Sequence, residues 1–225
     1  MKRKRLVFVA SAATLVLLAS SALATEFVIS SQIESRIESE LPSAKEVKAE
    51  LSLIDMPMNV ASGSIRSASI YIESYLLKGS GTEVSLDIKA NNINKKKPTV
   101  IGSIDITATI PASTILDNAE FESAEIVGDA LQVSMGPGGL GQALLVPRFA
   151  DNQIYFELES VSFLGGKIPA SSLPANIQEQ VKSKSIKTLD VPQELKVKSV
   201  SISSKGLSIK LAGSNIQLGK LGSIL

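Results

Sequence analysis

The chain has 225 residues, 44% of them hydrophobic and 20% charged, with 23 basic residues against 22 acidic ones. This is enough apolar material for one sheet-type domain or two small ones, and it excludes a disordered chain. Histidine and cysteine are both absent, which excludes disulfides, a thiol nucleophile, a Ser-His-Asp triad and the commonest metal ligand.

Met1–Arg5 reads "MKRKR", Leu6–Leu18 is apolar apart from Ser11 and Thr14, and Ala22-Leu23-Ala24 is a small-x-small site before Thr25. This layout predicts a secretory signal over residues 1–24. The 19 uncharged residues from Leu6 to Ala24 also fit an uncleaved membrane anchor with its N-terminus in the cytoplasm. Either way residues 25–225 are expected outside the cytoplasm, as a single domain. Loss of Lys2, Arg3, Lys4 and Arg5 leaves 19 basic against 22 acidic residues, a net charge of −3. That balance and the 4% aromatic content argue against a nucleic-acid partner.

In Phe27–Leu41 the residues Ile29, Ile33, Ile37 and Leu41 recur every four positions, and Pro42 follows at once. The spacing predicts an amphipathic helix of about four turns that stops at the proline. Thereafter the apolar period becomes two. A strand is expected around Val47–Leu53, and Ala68, Ile70 and Ile72 alternate with polar residues. So do Val84, Leu86, Ile88 and Ala90, and then Ile104, Ile106, Ala108 and Ile110. Such alternation marks antiparallel strands with one wet face. Pro111–Asp117 reads as one or two helical turns.

Further strands are expected at Leu131–Met135, Ala143–Val146 and Ile154–Phe163, with a turn at Asp151-Asn152. Ile154, Phe156 and Leu158 lie on one parity, and Val161 and Phe163 on the other. A β-bulge near Glu159–Ser160 would return all five to one face. Ser172–Ile186 reads as a short helix capped by Ser172, with Pro174 in its first turn. Leu195, Val197, Val200 and Ile202 show a second slip at Lys198–Ser199. They lead into Ser203-Ser204-Lys205-Gly206 and then Leu207, Ile209 and Leu211, a hairpin in which Gly206 supplies positive φ.

The polar motifs have modest chemistry. Glu157 and Glu159 share a strand face and have the residue types of a glycosidase pair, but that face is the wet one and the solvated reading is preferred. "MGPGGLG" at Met135–Gly141 lacks the Lys-Ser/Thr of a phosphate-binding loop and reads as a connection between strands. No calcium-loop or other metal spacing occurs. Lys95, Lys96 and Lys97 read as a solvated turn, with contact to an anionic lipid head group as the second reading.

Two stretches carry a family resemblance. Pro57–Ser74, "PMNVASGSIRSASIYIES", has a proline, a glycine and an alternating strand. Val191–Leu218, "VPQELKVKSVSISSKGLSIKLAGSNIQL", has Pro192, Leu195, an alternating strand, Gly206, a second strand, Gly213 and Leu218. Together they resemble the LmeA family of bacterial cell-envelope phospholipid-binding proteins. The chain departs from that pattern at Val191 in place of leucine and Glu194 in place of glycine. The resemblance implies an extracytoplasmic, tubular lipid-binding-like domain serving envelope lipid or lipoglycan assembly, and it carries over no site residues.

The expectation is thus an α+β fold: a long N-terminal amphipathic helix packed on a strongly curved antiparallel β-sheet, an elongated half-barrel enclosing an apolar cavity. From periodicity, the lining is expected to take Ile29, Ile33, Ile37 and Leu41 from the helix. The first strands would add Ile70, Ile72, Leu86, Ile88, Ile104 and Ile106. The later strands would add Phe156, Leu158, Val200, Ile202, Leu207 and Ile209. The function expected is non-enzymatic binding of phospholipid, in particular anionic phospholipid, at a membrane surface without any cofactor. The alternative is an envelope scaffold or adhesion module with a self-filled core, and a glycan hydrolase stands third.

Overall fold

The computed structural model describes residues 34–217 apart from 36, 40, 52–63, 78–80, 95–99, 118–122, 136–139, 164 and 190. Twelve strands dominate the described residues. One sheet contains β1 (Ala44–Leu51), β2 (Ser64–Leu76), β3 (Glu83–Asn94), β4 (Val100–Pro111), β11 (Leu195–Ser203) and β12 (Gly206–Gln217), in the order β1-β2-β3-β4-β12-β11. The other contains β5 (Ala124–Val127), β6 (Ala130–Met135), β7 (Gly141–Ala150), β8 (Gln153–Phe163) and β10 (Lys187–Thr188), in the order β10-β8-β7-β6-β5, with β9 (Gly166–Pro169) also on β8. The helices that follow β4 among the described residues are short: α1 (Ala112–Asp117), a 3-10 turn at Ala170–Ser172, and α2 (Ala175–Ser185).

The chain divides into two compact units. One holds Thr109–Leu189 with Ser199–Ile209, and therefore the entire second sheet. The other holds the described residues of Val7–Ala108, Asp190–Lys198 and Lys210–Leu225, and therefore β1, β2 and β3. The division falls inside β4, β11 and β12.

In the second unit, the register of β1, β2 and β3 places apolar residues in rows. Val47 faces Ile72, which faces Leu86; Ala49 faces Ile70, which faces Ile88. All six are buried, so one face of the meander is a continuous aliphatic surface, as the two-residue period requires. A register shift between Ile72 and Tyr75 keeps Tyr75 on this face, opposite both Ala44 and Val84. Along edge strand β1 the backbone N–H of Ala49 donates to the Glu34 carboxylate at 2.8 Å, which occupies a group that an edge would otherwise present to solvent.

In the first unit, turn chemistry sets the pairing. Asp151 and Asn152 both take positive φ between β7 and β8, the geometry of a two-residue primed turn that asparagine and aspartate tolerate. Between β7 and β8 the register shifts at Leu144/Leu145, leaving Glu159 as the extra residue. Phe156, Leu158, Val161 and Phe163 therefore face Pro147, Leu145, Ala143 and Gly141 on a single side. The bulge expected from the change of parity is present and does what it was expected to do.

On its other edge β8 pairs with β10 at Gln153–Ile154 and with β9 at Ser160–Phe163. In the gap, Ser185 of α2 occupies the Phe156 N–H: its Oγ accepts from that N–H at 2.8 Å and donates its one proton to the Lys182 carbonyl of the same helix at 3.0 Å. Helix α2 starts at Pro174, which has no capping side chain, while Ser172 closes the preceding 3-10 turn. Gln178 bridges the two by donating to the Ala170 and Leu173 carbonyls.

This architecture corrects the expected α+β half-barrel. Among the described residues the protein is mostly β, with two antiparallel sheets and short helical segments in place of one curved sheet under a long helix. Most of the expected helix Phe27–Leu41 lies outside the described residues; Glu34, Ser35 and Ile37–Ser39 are helical, and Leu41 closes onto Ile37 before Pro42. Spacing of apolar residues by four identifies a helical stripe but carries no information on how much of a fold it covers. Alternation likewise tells which face a strand buries, not which strands share a sheet. Here the tight turns after β5 and β7 pair β5 with β6 and β7 with β8 locally, and β12 of the β11–β12 hairpin returns to β4.

Candidate functional site

The residues expected to line a lipid site fall into two groups, one in each unit. Ile37, Leu41, Ile70, Ile72, Leu86, Ile88, Ile104 and Ile106 belong to the unit with β1–β3, and all are buried. The cross-strand register brings Ile70 to Ile88 and Ile72 to Leu86 directly. Phe156, Leu158, Val200, Ile202, Leu207 and Ile209 belong to the other unit; Phe156 and Val200 are half-buried and the rest are buried. Ile29, Ile33 and the head-group candidates Lys95, Lys96 and Lys97 lie outside the described residues.

The buried surfaces have one chemical character. Among the largest fully buried side chains of the described residues Tyr75 is the single aromatic, accompanied by Ile37, Ile72, Leu77, Leu86, Ile88, Ile101, Ile104, Ile106 and Ile209. Branched aliphatics offer no polar handle and no flat ring, so a surface made of them contacts hydrocarbon without selecting its shape.

The second sheet carries its aliphatic rows across more strands. Ala124, Val133, Ala143, Val161 and Ile168 form one row over β5, β6, β7, β8 and β9; Ile126, Leu131, Leu145 and Leu158 form the next. The first of these rows is buried in the middle, at Val133 and Ala143, and opens at Ile168. Beyond it stands Met135–Gly141–Phe163–Gly166, where Phe163 is 51% exposed. Sequence reasoning placed Phe163 with the core and missed this open end. The signal lay in the glycines at 141 and 166, which the pairing sets on either side of the ring.

The polar groups are arranged for solvent. Arg148 donates from Nε to Glu157 Oε2 at 2.8 Å, with both side chains about half exposed. This hydrogen bond raises the guanidinium above its ordinary pKa and commits Glu157 to an ion pair. Glu159 is the exposed bulge residue. Lys182 lies over the Tyr155 ring, 4.4 Å from its centroid. In the other unit Glu46 holds a left-handed conformation within β1, φ 53°, and hydrogen-bonds Glu73 across the strands. That bond, reinforced by the negative charge of Glu46, raises the Glu73 carboxyl pKa, and Lys48 opposes the shift.

Two glycines and a glutamate of the resemblance motif have defined places. A Cβ at Gly206, where φ is +129°, would lie 1.9 Å from the Ile110 carbonyl oxygen and 2.8 Å from the Ala112 nitrogen. One at Gly213 would lie 2.6 Å from the Glu194 carbonyl oxygen. Glu194 itself sits in a turn closed by Leu195 N–H donating to the Pro192 carbonyl. Its Oε2 is the one buried side-chain oxygen without a hydrogen-bond partner among the described residues. No group of three or more potential metal ligands occurs among the described residues, and no helix there is long and apolar enough to cross a membrane.

Comparison of the chain with protein-family models, with curated proteins and with solved structures gives no match.

Proposed function

We propose that this chain is a non-enzymatic, extracytoplasmic phospholipid-binding protein that holds acyl chains against aliphatic sheet faces and supports cell-envelope lipid or lipoglycan assembly, as its resemblance to the LmeA family implies. The observation that carries this reading is the aliphatic composition of the apolar rows in both sheets, from Val47–Ile72–Leu86 to Ile126–Leu131–Leu145–Leu158. Each acyl methylene left in water costs about 0.8 kcal/mol, so a dozen cost on the order of 10 kcal/mol. A lipid carrier needs apolar surface far more than reactive groups, which suits a chain without histidine or cysteine. The basic segment Lys95–Lys97 supports a preference for anionic head groups, and the N-terminal signal layout supports location outside the cytoplasm.

Ile72, Val84 and Ile209 have no accessible surface, an observation that favours the second reading, an envelope scaffold whose core is filled by its own side chains. Native mass spectrometry of the gently purified protein separates the two. Phospholipid masses bound in stoichiometric amount, exchanging for added anionic phospholipid, are the expected result. A lipid-free protein that takes up no fluorescent phospholipid would leave the scaffold.

A further inference from the structure

The stretch that follows β9 is held at its two ends and lies loosely between them. Ala170 is buried at one end and Leu189 at the other, where the Leu189 N–H also donates to the Asn152 carbonyl at 2.8 Å. Every residue from 171 to 188 is half-buried or exposed. Helix α2 fills most of that stretch and contains no buried residue. Its half-buried positions are Ile177, Gln178, Val181 and Ser185, and their spacing puts them on one face. That face carries two aliphatic side chains and seals neither from water, so burial contributes little to holding the helix down.

What holds it is polar. Gln178 donates to the Ala170 and Leu173 carbonyls at 2.8 and 3.3 Å, the Ser185 hydroxyl accepts from the Phe156 N–H at 2.8 Å, and Lys182 lies over the Tyr155 ring. Each of these contacts can be exchanged for water at small net cost. Strand β8 pairs with β7 over its whole length, but on its other edge it meets β10 at Gln153–Ile154 and β9 at Ser160–Phe163. Residues 155–159 have no strand partner on that edge among the described residues, and α2 stands there instead.

We propose that α2 is a strap that lifts from β8 as a unit, turning on Ala170 and Leu189, while the sheet beneath it stays folded. Gln178 and Ser185 hold opposite ends of the helix on the same face, so loss of either contact loosens both. Lifting leaves the Phe156 N–H and the edge at residues 155–159 open to solvent, and access to that edge is then set by the strap rather than by unfolding of the sheet. Both ends of the strap stay attached to buried residues, so it returns to the same place. The device requires no lipid held within the protein and stands apart from the reading above.

Native-state amide hydrogen exchange of the full-length protein, resolved by residue with NMR, tests this within one strand. Backbone groups alternate in direction along a strand, so the Tyr155 and Glu157 amides face β7 while that of Phe156 faces α2. A lifted helix as short as α2 unwinds in water, so its own amides exchange in the same event. The expected result is one common protection factor for Phe156 and for Val181–Ser185, about a hundredfold below those of Tyr155 and Glu157, as a local opening requires. Gln178→Ala removes bonds to Ala170 and Leu173, at the far end of the helix from Phe156. It is expected to lower the protection of Phe156 about tenfold and to leave Tyr155 and Glu157 unchanged. A Phe156 amide as protected as its two neighbours in the wild-type protein would overturn the proposal, because the edge would then open only with the sheet. So would a Gln178→Ala variant in which exchange quickens in α2 alone, since the helix would then fray from one end rather than lift.

Discussion

The β1–β2–β3 meander and the β6–β9 part of the second sheet use the same alternation of aliphatic and polar residues, but their apolar rows end differently. In the meander the terminal row is Ala44–Tyr75–Val84, where a large ring stands between two side chains and all three are buried. In the second sheet the terminal row is Met135–Gly141–Phe163–Gly166, where a ring of similar size stands between two glycines and half of it reaches solvent. Alternation fixes which face is apolar. The cross-strand neighbours of the last aromatic decide whether that face closes.

This contrast is sharpest at Ile72 and Phe163. Truncating Ile72, which has no exposed surface, is expected to cost about 4 kcal/mol from lost burial and the cavity left behind. Phe163→Ala removes more atoms, yet is expected to cost less than about 1 kcal/mol, because half of the ring is already in water. Urea denaturation of the two variants measures both, and equal losses would break the comparison. Next in size is Gly206→Ala, expected to cost about 3 kcal/mol, since the added Cβ meets the Ile110 carbonyl on a backbone with positive φ. A variant as stable as wild type would mean that the β11–β12 hairpin does not lie against Ile110.

The smallest effect concerns the wet face of the meander. The raised Glu73 pKa means that the folded protein holds this proton more tightly than the unfolded chain. The resulting stability is fully present below the unfolded carboxyl value of about 4.3 and is lost as pH rises through the raised folded value. At pH 7 Glu46 and Glu73 repel each other. Glu73→Gln is therefore expected to be less stable than wild type, or equal to it, at pH 4 and to gain relative to it by pH 7. A difference that stays constant between those pH values would show that the two carboxyls do not share a proton.

Local features with a strict geometric requirement were legible in the sequence. The parity change between Leu158 and Val161 can be absorbed in few ways, and Glu159 is the bulge residue. Asp151-Asn152 and Gly206 take the positive φ that such residues tolerate, and burial along β11 changes parity across Lys198–Ser199 as expected. Ile37 and Leu41 are buried, as their spacing implies. What stayed hidden depends on partners distant in sequence. β9 and β10 have four and two residues, too few for a period to show. The second sheet arises from the choice of neighbours, which alternation does not encode. The exposure of Phe163 follows from Gly141, which stands at the opposite end of the β7–β8 hairpin in sequence.

The bond between Ser185 and Phe156 has a consequence beyond this fold. A strand edge with unpaired backbone groups invites a strand from another molecule, the first step toward fibrils. Between the short segments β10 and β9, a single hydroxyl on a helix accepts from the Phe156 N–H, the donor that an incoming strand would seek there. Helix α2 thus serves as a guard against edge-to-edge polymerisation at the centre of the longest strand in its sheet.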